Sequence, residues 1–178
     1  MTKQCWNFVI YRVPSQPSTL RVYVWRKLKG WGGLYLQQSV CVLPQRDELH
    51  QRVAALQGEI RDNNGEVDVF TVWIEDAQQN ALLVQRFQQQ ADVEYQELLG
   101  RCRDFHAELV AERTKGNLTF AELDENETEL TKLRSWLAKI GERDWFDAPL
   151  SASAGDALEQ CVQDFQRFSE EVYTAQGV

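Results

Sequence analysis

Long apolar runs are missing from this chain of 178 residues. The longest are a few residues, far short of the ~20 needed to cross a bilayer as a helix. That excludes a spanning helix and gives no reason to expect a membrane partner. The N-terminus has no basic-then-apolar signal pattern, so a cytoplasmic location is expected. Cysteine is sparse: Cys5, Cys41, Cys102 and Cys161 sit far apart, with no CxxC pair. The two histidines, His50 and His106, are isolated and are expected exposed on helices. A metal centre needs Cys and His clustered, so no metal is expected, and the four thiols read as reduced and mostly buried. Gly30-Trp-Gly-Gly33 has neither the G-x-G-x-x-G spacing nor a Gly-Lys-Ser/Thr. A Gly-x-Ser-x-Gly nucleophile elbow is also lacking. No cofactor and no enzymatic activity are expected.

The most informative absence is of carboxylates. Residues 1–46 contain seven Lys/Arg (Lys3, Arg12, Arg21, Arg26, Lys27, Lys29 and Arg46) and not one Asp or Glu. They carry +7, and the rest of the chain carries −15, which together make the net −8. Such polarity suits an anionic partner at one end and repels it at the other. The alternative is that the basic end docks on the protein's own acidic helices.

What is present reads as α+β. Residues 5–13 are aromatic and β-branched, a strand ended by Pro14 and Pro17. Ser15 or Ser18 then offers a side-chain oxygen to a helix start. A helix is expected over Ser18–Lys29, with Leu20, Val24 and Leu28 buried, Val22, Arg26 and Lys29 on another face, and Lys27 beside Tyr23. Leu34–Gln37 and Ser39–Leu43 read as short strands. Asp47–Asp62 is next, a helix burying Leu49, Val53, Leu56 and Ile60, and Glu66–Ile74 is a fourth strand. Strand, helix, strand, strand, helix, strand is the order of a ferredoxin-like βαββαβ sandwich, assigned to residues 1–75. Residues 76–178 read as an antiparallel bundle of long helices. These cover Ala77–Lys115 (in one or two pieces), a helix capped by the box Thr119-Phe-Ala-Glu122 and running to about Gly141, and one over about Ser153–Thr174. The carboxylates of residues 122–129 read as one solvated helix face.

Two sites are candidates. Arg21, Trp25, Arg26, Lys27 and Lys29 interleave basic and aromatic types on one helix, with Arg12 and Lys3 near in sequence. Cations neutralise phosphates and release counterions, and a flat aromatic stacks on a base, so DNA is a candidate partner. The turn from Arg12 to Thr19 could instead hold a small oxyanion at a helix N-terminus, with Ser15, Ser18 and Thr19 donating hydroxyls and Arg12 and Arg21 closing around the ion.

Tyr11-Arg-Val-Pro14, Pro17-Ser18, Arg21-Val, Val24-Trp-Arg-Lys-Leu-Lys29, Tyr35-Leu-Gln37 and Val40-Cys-Val-Leu-Pro44 together resemble the N-terminal domain of the ChrB chromate-resistance regulators. Glu94-Tyr95, the Phe120–Leu137 helix and Arg143-Asp-Trp-Phe146 fall in that family's order. The resemblance implies a cytoplasmic regulator of a chromate-efflux operon that responds to chromate or a sulfate-like oxyanion. It also implies a second, C-terminal domain in full-length members. A weaker likeness runs to PaaX-type repressors and to CRISPR spacer-acquisition nucleases. The nucleases carry an Asp where this chain has Tyr11-Arg12-Val13, so no nuclease chemistry is carried over. The other reading is a protein-interaction module without DNA binding, for instance a homodimer.

Overall fold

A computed structural model describes residues 4–16 and 18–177. Lys3 and Pro17, which bear on the basic count and the helix start, lie outside the described residues. The elements run β1 (Cys5–Arg12), α1 (Thr19–Gly30), β2 (Leu34–Gln37), β3 (Val40–Pro44), α2 (Asp47–Asp62), β4 (Glu66–Trp73), α3 (Ala77–Lys115), α4 (Phe120–Gly141) and α5 (Ser151–Gln176). The chain is α+β, with one four-stranded antiparallel sheet in the order β2-β3-β1-β4.

The first compact unit extends to Gln90 and takes in Arg143–Phe146. β1 is central, pairing with β3 from Trp6↔Pro44 to Ile10↔Val40 and with β4 from Cys5↔Trp73 to Arg12↔Glu66. Because side chains alternate across a strand, β1 feeds two cores. Val9 and Tyr11 join Val24 and Leu28 of α1 and Leu49, Val53, Leu56 and Ile60 of α2. Trp6 points the other way, with Leu34 and Val42, beneath Leu83 and Phe87 of α3. The spacing read in α2 is the buried spacing observed. In α1 only Val24 and Leu28 are fully buried; Leu20 is half-buried.

Local structure at both ends of α1 departs from the expected pattern. Ser18 makes no side-chain cap: its own backbone is helical (φ −65°, ψ −11°), whereas a capping oxygen needs an extended N-cap residue. α1 continues through Gly30, and the chain turns at Gly32, whose φ is +76°. A Cβ on Gly32 would lie 2.4 Å from the Arg143 carbonyl oxygen and 2.7 Å from Trp145 Nε1, so glycine serves both the left-handed turn and a close approach. Trp145 Nε1 donates to the Trp31 carbonyl at 2.8 Å. The sheet ends at Trp73, two residues before the boundary expected at residue 75. The compact unit continues beyond it, because Leu83 and Phe87 complete the core under Trp6.

The second unit spans Ala91–Glu142 and Asp147–Val178. α3 is one continuous helix rather than two pieces. Tyr95, Leu98, Cys102, Phe105 and Leu109 from it share a core with Leu130, Leu133 and Ile140 of α4 and Leu158, Cys161, Phe168 and Val172 of α5. Thr119 Oγ1 accepts from the Glu122 N–H at 3.3 Å, one half of the capping box. The Glu122 carboxylate turns instead to Asn117 Nδ2 at 2.8 Å. α5 starts two residues before the expected Ser153, and the Leu150 N–H that precedes it donates to Asp92 Oδ1 at 2.9 Å. No helix is long and apolar enough to cross a membrane among the described residues.

Candidate anion-binding site

The outer surface of α1 is divided by helical geometry. Residues four apart share a face, so Arg21, Trp25 and Lys29 form one row, while Ser18, Val22 and Arg26 form the next. Lys29 stands four residues after Trp25 and three after Arg26, so it neighbours both rows; the groove it lines is the one lined by Arg21.

The first row, with Tyr11 and Arg12 at the end of β1, Tyr35 of β2 and the Gln37–Ser39 turn, encloses a groove of about 740 Å³ with no carboxylate in its lining. Its floor is a phenol pair: the Tyr11 and Tyr35 hydroxyls are 2.8 Å apart. Burial raises the Tyr35 phenol far above its usual range, and the bond to Tyr11 adds to this. Burial raises Tyr11 as well. Both phenols are therefore neutral at ordinary pH. One hydroxyl proton serves the pair, which leaves the other for an outside acceptor. Lys29 Nζ donates to Gln90 Oε1 at 2.5 Å and lies 5.9 Å from the Tyr35 ring centre. Gln90 Nε2 in turn donates to the Gly33 carbonyl at 3.3 Å. Arg21 is exposed and forms no ion pair among the described residues. Trp25 stands 49% exposed beside it. Arg12 is bridged to Glu66 at 2.7 Å. Both side chains are mostly in water, so the pair can open at little cost.

The second row faces acid. Ser18 and Arg26 line a separate groove that includes Glu59 and Asp62 of α2. Tyr23 donates to Glu59 Oε2 at 2.8 Å, and Lys27 sits 5.2 Å over the Tyr23 ring. The structure thus brings together Arg12, Arg21, Trp25 and Lys29 from the expected set and sets Ser18, Arg26 and Lys27 apart. The small-oxyanion arrangement at the helix start is not formed: Arg12 and Arg21 line one groove, Ser18 and Thr19 the other. Carboxylates gather in the second unit, where Asp104, Glu108, Glu112, Glu122, Glu125 and Glu129 line a groove of about 620 Å³. Lys115 and then Asn117 hold the buried Glu112 carboxyl below its usual range.

Sequence reasoning does not single out Tyr11, Tyr35 or Gln90. Tyr11 carries a signal, since it continues the inward alternation from Val9 to the strand end where the cations begin. Removing the Tyr35 hydroxyl should show that the pair also holds the fold. Tyr35→Phe is expected to cost about 1 kcal/mol in urea unfolding, the worth of one hydrogen bond. An unchanged midpoint would mean that water replaces it without loss.

An α+β chain with a carboxylate-free cationic groove on its sheet unit is the class that these features define. Residues 21–178 match the family model described as "Protein ChrB, N-terminal". The chain belongs to this family and is thereby a chromate-resistance-associated protein. No curated protein matches it. Arg21, Trp25, Lys29 and Tyr35 fall within the matched region; Tyr11 and Arg12 precede it.

Proposed function

We propose that the chain is a cytoplasmic, non-enzymatic regulator of chromate resistance that associates with DNA through the Arg12–Arg21–Lys29 groove. The observation that carries this reading is the charge of the groove lining, which holds three cations and no carboxylate in a protein of net charge −8. Phosphates entering such a groove displace no carboxylate from its lining, and the bridge from Arg12 to Glu66 is exposed. Trp25 offers a flat apolar face beside the cations. A chromate- or sulfate-like oxyanion would meet the same donors, Arg21, Lys29 and the spare phenol proton. The architecture fits. The strand order 2-3-1-4 with helices after β1 and β3 supports a ferredoxin-like unit, and the shared core of α3, α4 and α5 supports an antiparallel bundle.

Binding to a duplex carrying the chromate-efflux promoter, titrated at several salt concentrations, tests the proposal. Affinity should fall steeply with salt. Arg21→Ala should weaken binding and reduce the slope by about one, whereas Arg26→Ala, facing Glu59 and Asp62, should change it little. Absence of binding at low salt would sink the DNA reading. The alternative of an interaction module, such as a homodimer, rests on the sheet face, where Phe8 pairs with Phe70 and Ile10 with Asp68. There Phe70 is 53% and Ile10 40% exposed.

A further inference from the structure

The two edges of the sheet are unlike. β2 has only four residues, and its pairing with β3 shifts register between Tyr35 and Gln37. Shortness and irregularity blunt an edge strand. β4 has eight residues, and its register with β1 is unbroken from Cys5↔Trp73 to Arg12↔Glu66. Its sequence, Glu66-Val-Asp-Val-Phe-Thr-Val-Trp73, holds no Pro, Lys or Arg. Among the described residues β4 pairs with β1 alone, and Phe70 and Trp73 stand more than half exposed on it.

The main-chain bonds of β1 show which groups of β4 point outward. The Tyr11 N–H donates to the Ser39 carbonyl at 3.0 Å, and the Cys5 carbonyl accepts from the Gln45 N–H at 2.9 Å. The odd-numbered residues of β1 thus turn towards β3. Its even-numbered residues turn towards β4, where they face Glu66, Asp68, Phe70 and Val72. Peptide groups alternate along a strand, so those of Val67, Val69 and Thr71 turn away from the sheet.

We propose that β4 is a homodimer interface, in which the β4 edges of two copies pair antiparallel about a two-fold axis at Phe70 and join the two sheets into one. Val69 of each copy exchanges N–H and C=O with Thr71 of the other. The two Phe70 residues form a close, non-hydrogen-bonded pair. Because Phe8 lies opposite Phe70 within each copy, four rings then form one row across the open face. The edge is also its own complement in charge. Glu66 and Asp68 occupy one end, and Val72, Trp73 and Ile74 the other. The pairing sets Asp68 opposite Val72 and Glu66 opposite Ile74, and keeps the two Asp68 residues about 13 Å apart along the strand. A register centred on Val69 would instead need the Val67 carbonyl for its inner bonds, and Arg61 Nη2 already donates to it at 3.2 Å. This contact rests on the interaction-module reading and places it at the strand edge. The DNA reading is independent of it, since no residue of β4 lines the groove of Arg21.

Sedimentation equilibrium of the full chain across micromolar concentrations should give twice the chain mass. Phe70→Lys, which sets two like charges face to face, should raise the dimer dissociation constant at least about tenfold. Ile10→Lys, on the open face but off the edge and opposite Asp68, should leave it unchanged. Phe70→Cys under copper–phenanthroline oxidation should give a disulfide between copies that peptide mapping assigns to residue 70 on both sides, because directly opposed residues lie within disulfide reach. Asp68→Cys should not. If Phe70→Lys does not fold, the two cysteine variants decide. A monomer at every concentration, a dimer that survives Phe70→Lys, or bridges formed equally at residues 68 and 70 would overturn the proposal. So would loss of the dimer in Ile10→Lys, which would move the contact to the sheet face and leave the interaction-module reading standing.

Discussion

Trp6→Ala should cost about 3–5 kcal/mol of unfolding free energy, the range for truncating a buried large aromatic. Trp6 is 0% exposed. Its ring stacks on Phe87 at 5.4 Å and 19°, meets Phe146 at 5.5 Å, and those two rings lie 5.3 Å from each other. Its Nε1 donates to Asn80 Oδ1 at 2.8 Å. One side chain therefore joins the central strand to the first turns of α3 and to the Arg143–Phe146 segment. Alanine leaves a cavity beneath two rings whose backbones are fixed by other contacts, Phe146 through its carbonyl to Gln88 Nε2 at 2.9 Å. Trp6→Phe should lose roughly half as much, keeping a ring but not the indole donor. Urea unfolding monitored by circular dichroism, with an unchanged slope, is the measurement. A loss below about 1 kcal/mol would show that Phe87 and Phe146 close over the gap.

The same residue shows where sequence reasoning stops. Alternation along Cys5–Arg12 identifies a strand and assigns Val9 and Tyr11 to one face. It also makes Trp6, Phe8 and Ile10 a second apolar row, and nothing local says what covers it. The cover comes from Leu83, Phe87 and Phe146, distant in sequence, and it reaches Trp6 but leaves Ile10 exposed. Elements governed by period alone were legible: the buried spacing of α2, the strand bounds near Gly33 and Pro44, and the stop at Gly116. The unit boundary was not, because it depends on which core a continuous helix serves. The contact of the Cys161 thiol with the Cys102 carbonyl was not either, since two helices bring together residues that no spacing rule connects.

The candidate site divides the same way. That Arg21, Trp25 and Lys29 follow one another at spacing four is contained in the sequence; that Lys29 lines the groove of Arg21 and not that of Arg26, three residues away, is not. The partner of each row is not contained there. Glu59 and Asp62 face Arg26 because α2 ends beside α1, and Tyr35 reaches Tyr11 because β3 sits between their strands, with a register shift at Tyr35/Gln37. One row of the basic helix thus lines a groove without carboxylates, and the other a groove that includes Glu59 and Asp62.

In the second unit the largest effect is expected at Asp164, a carboxylate with only 5% of its side chain exposed. Oδ2 meets His106 Nδ1 at 2.5 Å, Oδ1 accepts from Gln160 Nε2 at 3.2 Å and from Arg167, and the Asp164 carbonyl accepts from Arg113 at 3.2 Å. Asp164→Ala removes the carboxylate that His106, Gln160 and Arg167 share and keeps the main-chain acceptor of Arg113. His106 and Arg167 are more than half exposed and regain water, so the cost should be about 2–3 kcal/mol, less than for a pair buried on both sides. Burial pushes the Asp164 carboxyl up, but the hydrogen bonds from His106, Arg167 and Gln160 more than offset it and leave the group below the usual aspartate range. A depressed folded-state value means that the unfolded chain binds the proton first as pH falls. The stabilisation is therefore complete above the ordinary value of about 4 and is lost as pH drops through the lower, folded one. Unfolding of wild type and Asp164→Asn at about pH 5 and about pH 3 should show the wild-type advantage shrinking at the lower value. Parallel losses in both proteins would mean that other carboxylates titrate there, and that Asp164 contributes through packing and neutral hydrogen bonds instead of charge.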